Sequence, residues 1–159
     1  RSVIVPCGAG SNVLGCYIGF SELLRAGQID RLPRIFAAQP ENCGPIGRAE
    51  LGLPEAEAIP TIAEGTAIAK PLRQRECIQA MRESGGGAVL LTEDEIKDAA
   101  LMLARRGVYV EPTCAQAAAA FERLLAAGRI GGAEKTVVVL TGTGLKATPR
   151  YAEFLGVAV

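Results

Sequence analysis

Residues 3–5 form a short β-branched run, and after a break Val13, Cys16, Tyr17, Phe20 and Leu24 recur at helical spacing until Gly27. The first pattern predicts a buried strand, the second an amphipathic helix stopped by a glycine. Residues 34–39, RIFAAQ, read as a second strand, so the three segments make a strand–helix–strand unit with a parallel pair and a right-handed crossover. Residues 40–60 are rich in proline, glycine and acids and read as a long loop with room for one helical turn. A helix over 74–83, a break at Gly85, Gly86 and Gly87, and a strand over 88–91 follow. Thr92 and Glu95 frame a capping box that opens a helix with Ile96, Ala99, Ala100 and Leu103 on one face. Arg105 and Arg106 suit its C-terminal dipole, and Gly107 ends it. After VYVEPT, Thr113 is placed to cap an alanine-rich helix that Gly128 ends. Residues 136–140, TVVVL, are the most continuous strand signal and run straight into Thr141, Gly142, Thr143 and Gly144. This rhythm predicts an α/β fold, a three-layer sandwich on a mainly parallel sheet, with residues 3–5, 35–38, 88–91 and 137–140 among its central strands.

Where the first strand ends the chain reads VPCGAGSNV, with two glycines bracketing Ala9 before the helical pattern begins. A strand, a glycine-rich turn and a helix in immediate succession point several backbone N–H groups at one place. Glycine lets an anion come close, and the positive end of the helix macrodipole favours a phosphate. An ordinary tight strand-to-helix turn uses the same residues, and both readings stand at this point. Parallel sheets bind ligands at the carboxyl ends of their strands, so residues 8–12 and 141–144 are placed to converge on one ligand.

With 159 residues, zero formal net charge, 49% hydrophobic residues and no Trp, the chain reads as one α/β domain over 1–159 with a sizeable core. Lys and Arg are scattered without a basic block, which argues against nucleic acid and anionic membranes as partners, and no apolar stretch is long enough to span a bilayer. A small molecule or another subunit is the expected partner. Cys7, Cys16, Cys43, Cys77 and Cys114 are odd in number and form no CxxC pair, so neither a disulfide framework nor a zinc cluster is expected and a reducing cytoplasm fits. There is no histidine, which removes His-based acid–base chemistry, Ser/Cys–His nucleophile pairs and the common His metal sites. No metal is expected. The chain starts at Arg1 and enters a strand within two residues, without an initiator methionine or a signal-peptide pattern, so an N-terminal part is expected to be missing.

The ordered stretches VPCGAGSN, GCYIGFSELLRAGQID, QPENCGPI, TIAEGTAIAKP, RESGGGAV, LTEDEI, GVYVEPTCA and VVLTGTGLK run through nearly the whole chain. In that order the sequence resembles the fold-type II pyridoxal phosphate enzymes related to the tryptophan synthase β subunit, and within them the threonine synthases. The resemblance implies that Gly8, Ala9, Gly10, Ser11 and Asn12 bind the phosphate of pyridoxal 5'-phosphate, and that Thr141 hydrogen-bonds its pyridine nitrogen. A neutral hydroxyl does not hold that nitrogen protonated as a carboxylate would, which suits elimination and replacement better than transamination. Glu64 is a candidate to sit near the ring, and Glu111 lies at a strand end; for each, the alternative is a structural cap or loop hydrogen bond. Cys114 stands where the family often has serine. It is read either as a small residue at a helix start or as a thiol whose pKa the dipole lowers.

The family's Schiff-base lysine lies upstream of the glycine loop, so the resemblance places no catalytic residue on this chain. Lys70, Lys97, Lys135 and Lys146 match positions that are not catalytic; Lys97 is expected on a solvated helix face and Lys146 on a terminal loop. The implied function is the C-terminal part of an enzyme converting O-phosphohomoserine to threonine and phosphate, incomplete by itself, and homodimeric and cytoplasmic when whole. A serine or threonine dehydratase is the alternative within the superfamily. Outside it stand a non-enzymatic module and a dinucleotide-binding domain. The latter would want a third glycine at Val13 and a well-placed acid after the next strand within roughly 20 residues, and has neither.

Overall fold

Alternation along the strands sends side chains into two separate cores. In the computed structural model, which describes residues 1–158, β1 (Ser2–Pro6) directs Val3 and Val5 to one face and Ile4 to the other. The same split places Ile35 and Ala37 opposite Phe36 and Ala38 in β2 (Arg34–Pro40), and Ala88 opposite Val89 and Leu91 in β3 (Gly87–Leu91). Strands buried on both faces read as continuous apolar runs, as these do. With β4 (Thr136–Val138) they form one parallel sheet in the order β3-β2-β1-β4.

Helices α1 (Ser11–Arg25), α2 (Pro45–Glu50) and α3 (Gln74–Glu83) cover the Val3 face through Val13, Ile46, Cys77 and Met81. On the Ile4 face lie α4 (Glu93–Arg105), α5 (Pro112–Ala126) and α6 (Thr148–Leu155), contributing Ile96, a run of buried alanines and Tyr151. The result is the expected three-layer α/β sandwich. No helix among the described residues is long and apolar enough to cross a membrane.

Several elements differ from expectation. The runs 88–91 and 137–140 predict central strands, yet β3 and β4 are the two edges of the four-stranded sheet; β4 has only three residues, and Val137 is 58% exposed. It pairs only with β1, so its outer side is left uncovered among the described residues. Within 40–60, a 3-10 turn at Glu41–Cys43 leads into α2, and only residues 51–60 are irregular. Glu111, not Thr113, is the N-cap of α5, because Pro112 starts the helix one residue earlier. The C-terminal loop contains a helix, α6, with Pro149 near its start and Gly156 in the left-handed conformation after its end.

The amino ends of three strands are latched by one carboxylate. Glu134 accepts from the Ser2 hydroxyl at 2.6 Å and from Arg34 Nη2 at 2.7 and 2.6 Å. The Arg34 guanidinium, helped by Ser2, holds the Glu134 carboxyl down at about 2. Folding thus lowers this pKa below its ordinary 4.5, so the stabilisation is fully present above that value and is lost as the pH falls toward about 2. Glu134→Gln should therefore lower the urea midpoint at neutral pH, and the gap from the unmutated chain should close across that acid window. A gap independent of pH would show that the latch is not electrostatic.

Gly86 crosses the β2 backbone so closely that an added Cβ would fall 1.9 Å from the Ile35 carbonyl oxygen. Neither backbone can give way without breaking the sheet. Gly86→Ala should destabilise the fold by about 1–3 kcal/mol or more, on the scale of overpacking, whereas Gly132→Ala, which meets open space, should be near neutral in the same denaturation experiment.

Candidate active site

The order β3-β2-β1-β4 reverses at β1, whose following helix covers one face while β4 leads to α6 on the other. A crevice opens at the carboxyl ends of strands at such a switch point. The loops after β1 and β4 border it.

The loop after β1 keeps one sheet bond, Cys7 N–H to the Ala38 carbonyl at 2.9 Å, and then turns outward. Gly10, at φ 96° and ψ 5°, is the N-cap of α1; it offers no side-chain cap, and the first turn holds no acid. The first helical bond is Leu14 N–H to Gly10 O at 3.0 Å, and among the described residues nothing accepts from the N–H groups of Ser11, Asn12 or Val13. Orphan donors at the positive end of a helix are the arrangement that suits an anion. Both glycines are pressed from behind. A Cβ on Gly10 would lie 2.1 Å from Cys77 Sγ, and one on Gly8 would lie 3.2 Å from Thr66 Cα and Ile68 Cγ1. Ala9, Ser11 and Asn12 are exposed in front.

The close approach at Gly8 places the Glu64–Thr66 turn directly behind the loop. That turn is tied to α5: Gly65 N–H donates to Thr113 Oγ1 at 3.0 Å, and Gln116 Nε2 donates to Thr66 Oγ1 at 2.9 Å. Thr113, freed from capping, does this bridging. On its other side the same helix start holds the loop after β4. Glu111 N–H donates to Gly142 O at 3.3 Å, Cys114 Sγ is 3.1 Å from Thr141 Oγ1, and a Cβ on Gly142 would meet Glu111 Oε1 at 2.1 Å. Gly8, Ala9, Gly10, Ser11 and Asn12 therefore form one loop, and Thr141 stands at the same end of the sheet, joined to it through the Glu64–Thr66 turn and α5.

The Glu64 carboxylate accepts from Arg150 Nη2 at 2.9 Å with the side chain 74% exposed, and with Glu111, Lys146, Arg150 and Glu153 it lines a charged cleft of about 390 Å³ beside the Thr113 clasp. Glu111 is half-buried, with Lys146 Nζ 3.6 Å from its Oε2. Burial pushes the Cys114 thiol pKa up, more than the Thr141 hydrogen bond lowers it, the opposite direction to the dipole-lowered alternative. Lys70 and Lys135 are exposed. Lys97 is not on a fully solvated face, since its Nζ lies 5.7 Å from the Phe154 ring centroid beneath α6. Lys146 belongs to a 3-10 turn, Gly144–Ala147, leading into that helix. The bridging residues Gly65, Thr113 and Gln116 escaped the sequence reading. Their one available signal was Gln116, a lone polar residue inside an alanine run that proves to be fully buried.

The profile of the family described as "Pyridoxal-phosphate dependent enzyme" matches residues 1–142. The threonine synthase of Methanocaldococcus jannaschii is 36% identical over 150 residues, covering 91% of this chain and 37% of that protein. "Threonine synthase 2, chloroplastic" of Arabidopsis thaliana is 33% identical over 157 residues, covering 96% of this chain and 30% of that protein. The chain thus spans about a third of the length of the curated relatives it matches. Among solved structures, the processed form of threonine deaminase isoform 2 from Solanum lycopersicum superposes with a TM-score of 0.74 at 21% identity, covering 98% of this chain and 42% of that one; it shares the fold. A profile match over residues 1–142, on a parallel α/β sheet of the same architecture, leaves one assignment: the chain belongs to the fold-type II family of pyridoxal phosphate-dependent enzymes.

Proposed function

We propose that residues 1–159 are the C-terminal portion of a threonine synthase-like enzyme and hold the phosphate and ring-nitrogen end of its cofactor. The observation that carries this reading is the uncapped N-terminus of α1, with its glycine cradle, at the same sheet end as the Thr141 hydroxyl. The residues fit the group: the orphan N–H groups suit a phosphate, and Thr141 is exposed, with a hydroxyl available to a neutral ring nitrogen. Pyridoxal phosphate, when bound, supplies an electron sink for bond breaking in an amino acid. The protein's part at this end is to fix position. Gly8, Ala9, Gly10, Ser11 and Asn12 hold the phosphate by main-chain donors, while Thr141 faces the ring nitrogen without imposing a charge. Glu64, paired with Arg150, stands beside this site rather than in the cradle.

The relatives named threonine synthase support O-phosphohomoserine as substrate and elimination with replacement as the reaction. The lysine and the substrate-carboxylate contacts belong, on this reading, to an upstream part of the same protein, which works as a cytoplasmic homodimer. The protein extended by that part should release phosphate from O-phosphohomoserine and form threonine. Ammonia and a 2-oxo acid from serine or threonine would point instead to a dehydratase.

On this chain alone, inorganic phosphate binding measured by calorimetry tests the cradle. Gly10→Val should abolish it, because the left-handed backbone and the 2.1 Å approach to Cys77 leave no room for a branched side chain. Ser11→Ala should weaken it by only about 0.5–1.5 kcal/mol, the scale of one ordinary hydrogen bond. Equal losses from both variants would mean that side chains, not main-chain N–H groups, hold the anion.

A further inference from the structure

Leu72 stands 99% exposed on a ridge, residues 69–73, that leads into α3. With Lys70 and Pro71 it divides two open cavities and lines both. One, of about 820 Å³, lies between the ridge and the irregular segment 51–60, and the other, of about 570 Å³, lies between the ridge and α1. Leu53 on the first and Ile18 and Ile68 on the second are exposed as well. A large exposed apolar surface rimmed by polar groups marks an interaction site.

The shape of this face is held without a partner. Ile59 N–H donates to Asn42 O at 2.9 Å, Asn42 Nδ2 to Pro60 O at 2.7 Å and Arg48 Nε to Pro54 O at 2.8 Å. Segment 51–60 is thus pinned to α2 and the turn before it, although every one of its residues is exposed.

Charge divides along the same line. Segment 51–60 carries Glu55 and Glu57 and no base, whereas residues 70–75 carry Lys70, Arg73 and Arg75 and no acid. Glu55, Glu57 and Lys70 all line the larger cavity, yet among the described residues none of the three has an ion-pair partner, because the cavity keeps the two sides apart. A projecting leucine beside a cavity, with a basic side next to an acidic one, is complementary to itself when turned about a twofold axis. A twofold contact makes that demand of one patch, since the patch must carry both halves of the fit. The upstream part of the same protein makes no such demand.

We propose that this face binds a second copy of the chain, with Leu72 of each copy entering the larger cavity of the other and Lys70 opposite Glu55 and Glu57. The inference takes from the reading above only that the protein is a homodimer, and uses no feature of the cofactor site. Ile68 lies between the ridge and the Glu64–Thr66 turn and against Gly8, so the contact abuts the glycine loop from behind.

Sedimentation velocity on this chain, with no cofactor or phosphate present, tests the contact; its failure leaves the cofactor-site reading standing, which phosphate calorimetry tests separately. The unmutated chain should dimerise. Leu72→Asp should raise the dissociation constant about tenfold or more, the scale of a central apolar anchor, with the urea midpoint unchanged because the replaced side chain is in solvent in a single copy. Lys70→Glu opposes acid to acid across the contact, and Glu55→Lys with Glu57→Lys opposes base to base. Each of these two variants should self-associate more weakly than the unmutated chain, while a mixture of the two should form a one-to-one dimer that Leu72→Asp in either chain weakens. A monomeric unmutated chain, a dimer indifferent to these changes, or charge variants that do not recover on mixing would overturn the proposal. So would capture of the upstream part, produced separately, by the unmutated chain but not by Leu72→Asp, which would make that part the occupant of this face.

Discussion

Thr113 accepts from Gly65 at 3.0 Å on one side of the first turn of α5, and Glu111 and Cys114 grip Gly142 and Thr141 on the other. This clasp depends on where the helix begins. Pro112 lacks the N–H that a first helical position cannot use, so it starts α5 with Glu111 as the N-cap and leaves the Thr113 hydroxyl free for its neighbour. It depends equally on how the chain returns there from α4. Residues 107–111 run back across the layer, and Val110 forms an isolated antiparallel bridge to Thr143 at the carboxyl end of the sheet. Beyond the clasp, Ala115, Ala117 and Ala120 are fully buried, and Ala118 and Ala119 nearly so. Small side chains bring α5 close to β1, β2 and β3, so its amino end reaches both loops at once.

The groups gathered there are mostly neutral. Burial and the nearby Cys77 push the Cys7 thiol up to about 12, and burial raises Cys114 as well, so neither is a nucleophile. With no histidine in the chain, what remains is main-chain N–H, a hydroxyl and the field of a helix end. Such a set suits an anion and a neutral ring, on the reading proposed above. The charged residues nearby pair in the adjoining cleft, Lys146 with Glu111, and Arg150 with Glu64 and Glu153.

Periodicity made the layers legible because both faces of β1, β2 and β3 are apolar and each intervening helix carries a clear stripe. The capping box at Thr92 is present in full, with Thr92 accepting from Glu95 N–H at 3.2 Å and Glu95 accepting from Thr92 N–H at 2.8 Å. The glycine loop was legible as a turn before a helix, although its pressure against Cys77 and Thr66 depends on partners 67 and 58 positions away and leaves no local trace. A separation of 86 positions likewise hid the pairing of Glu64 with Arg150. An apolar run such as TVVVL says that a strand forms, but not whether it lies in the middle of a sheet or at its edge, because that is decided by what pairs with its other side. The α6 helix went unread because it is short, although Pro149 and Gly156 punctuate it.

The position of Thr141 relative to the cradle is finally a matter of register. β4 is only three residues long, too short to fix its own alignment through side-chain packing, yet Val3 is opposite Val137 and Ile4 opposite Val138. Two anchors supply what its length does not. At the amino end Glu134 joins β4's leading turn to Ser2 of β1 and Arg34 of β2, and at the carboxyl end Val139 N–H donates to Ile4 O at 3.0 Å and Gly144 N–H to Tyr109 O at 3.0 Å. A slip of one residue between β1 and β4 would carry the chain about 3.3 Å along the strand and turn alternate side chains to the opposite face. That displacement exceeds the tolerance of a hydrogen bond and would take the hydroxyl away from Cys114 and from any ligand held at Gly8, Gly10 and Asn12. The Glu134 latch lies at the opposite end of the sheet from the site, and through strand register it still sets the geometry there.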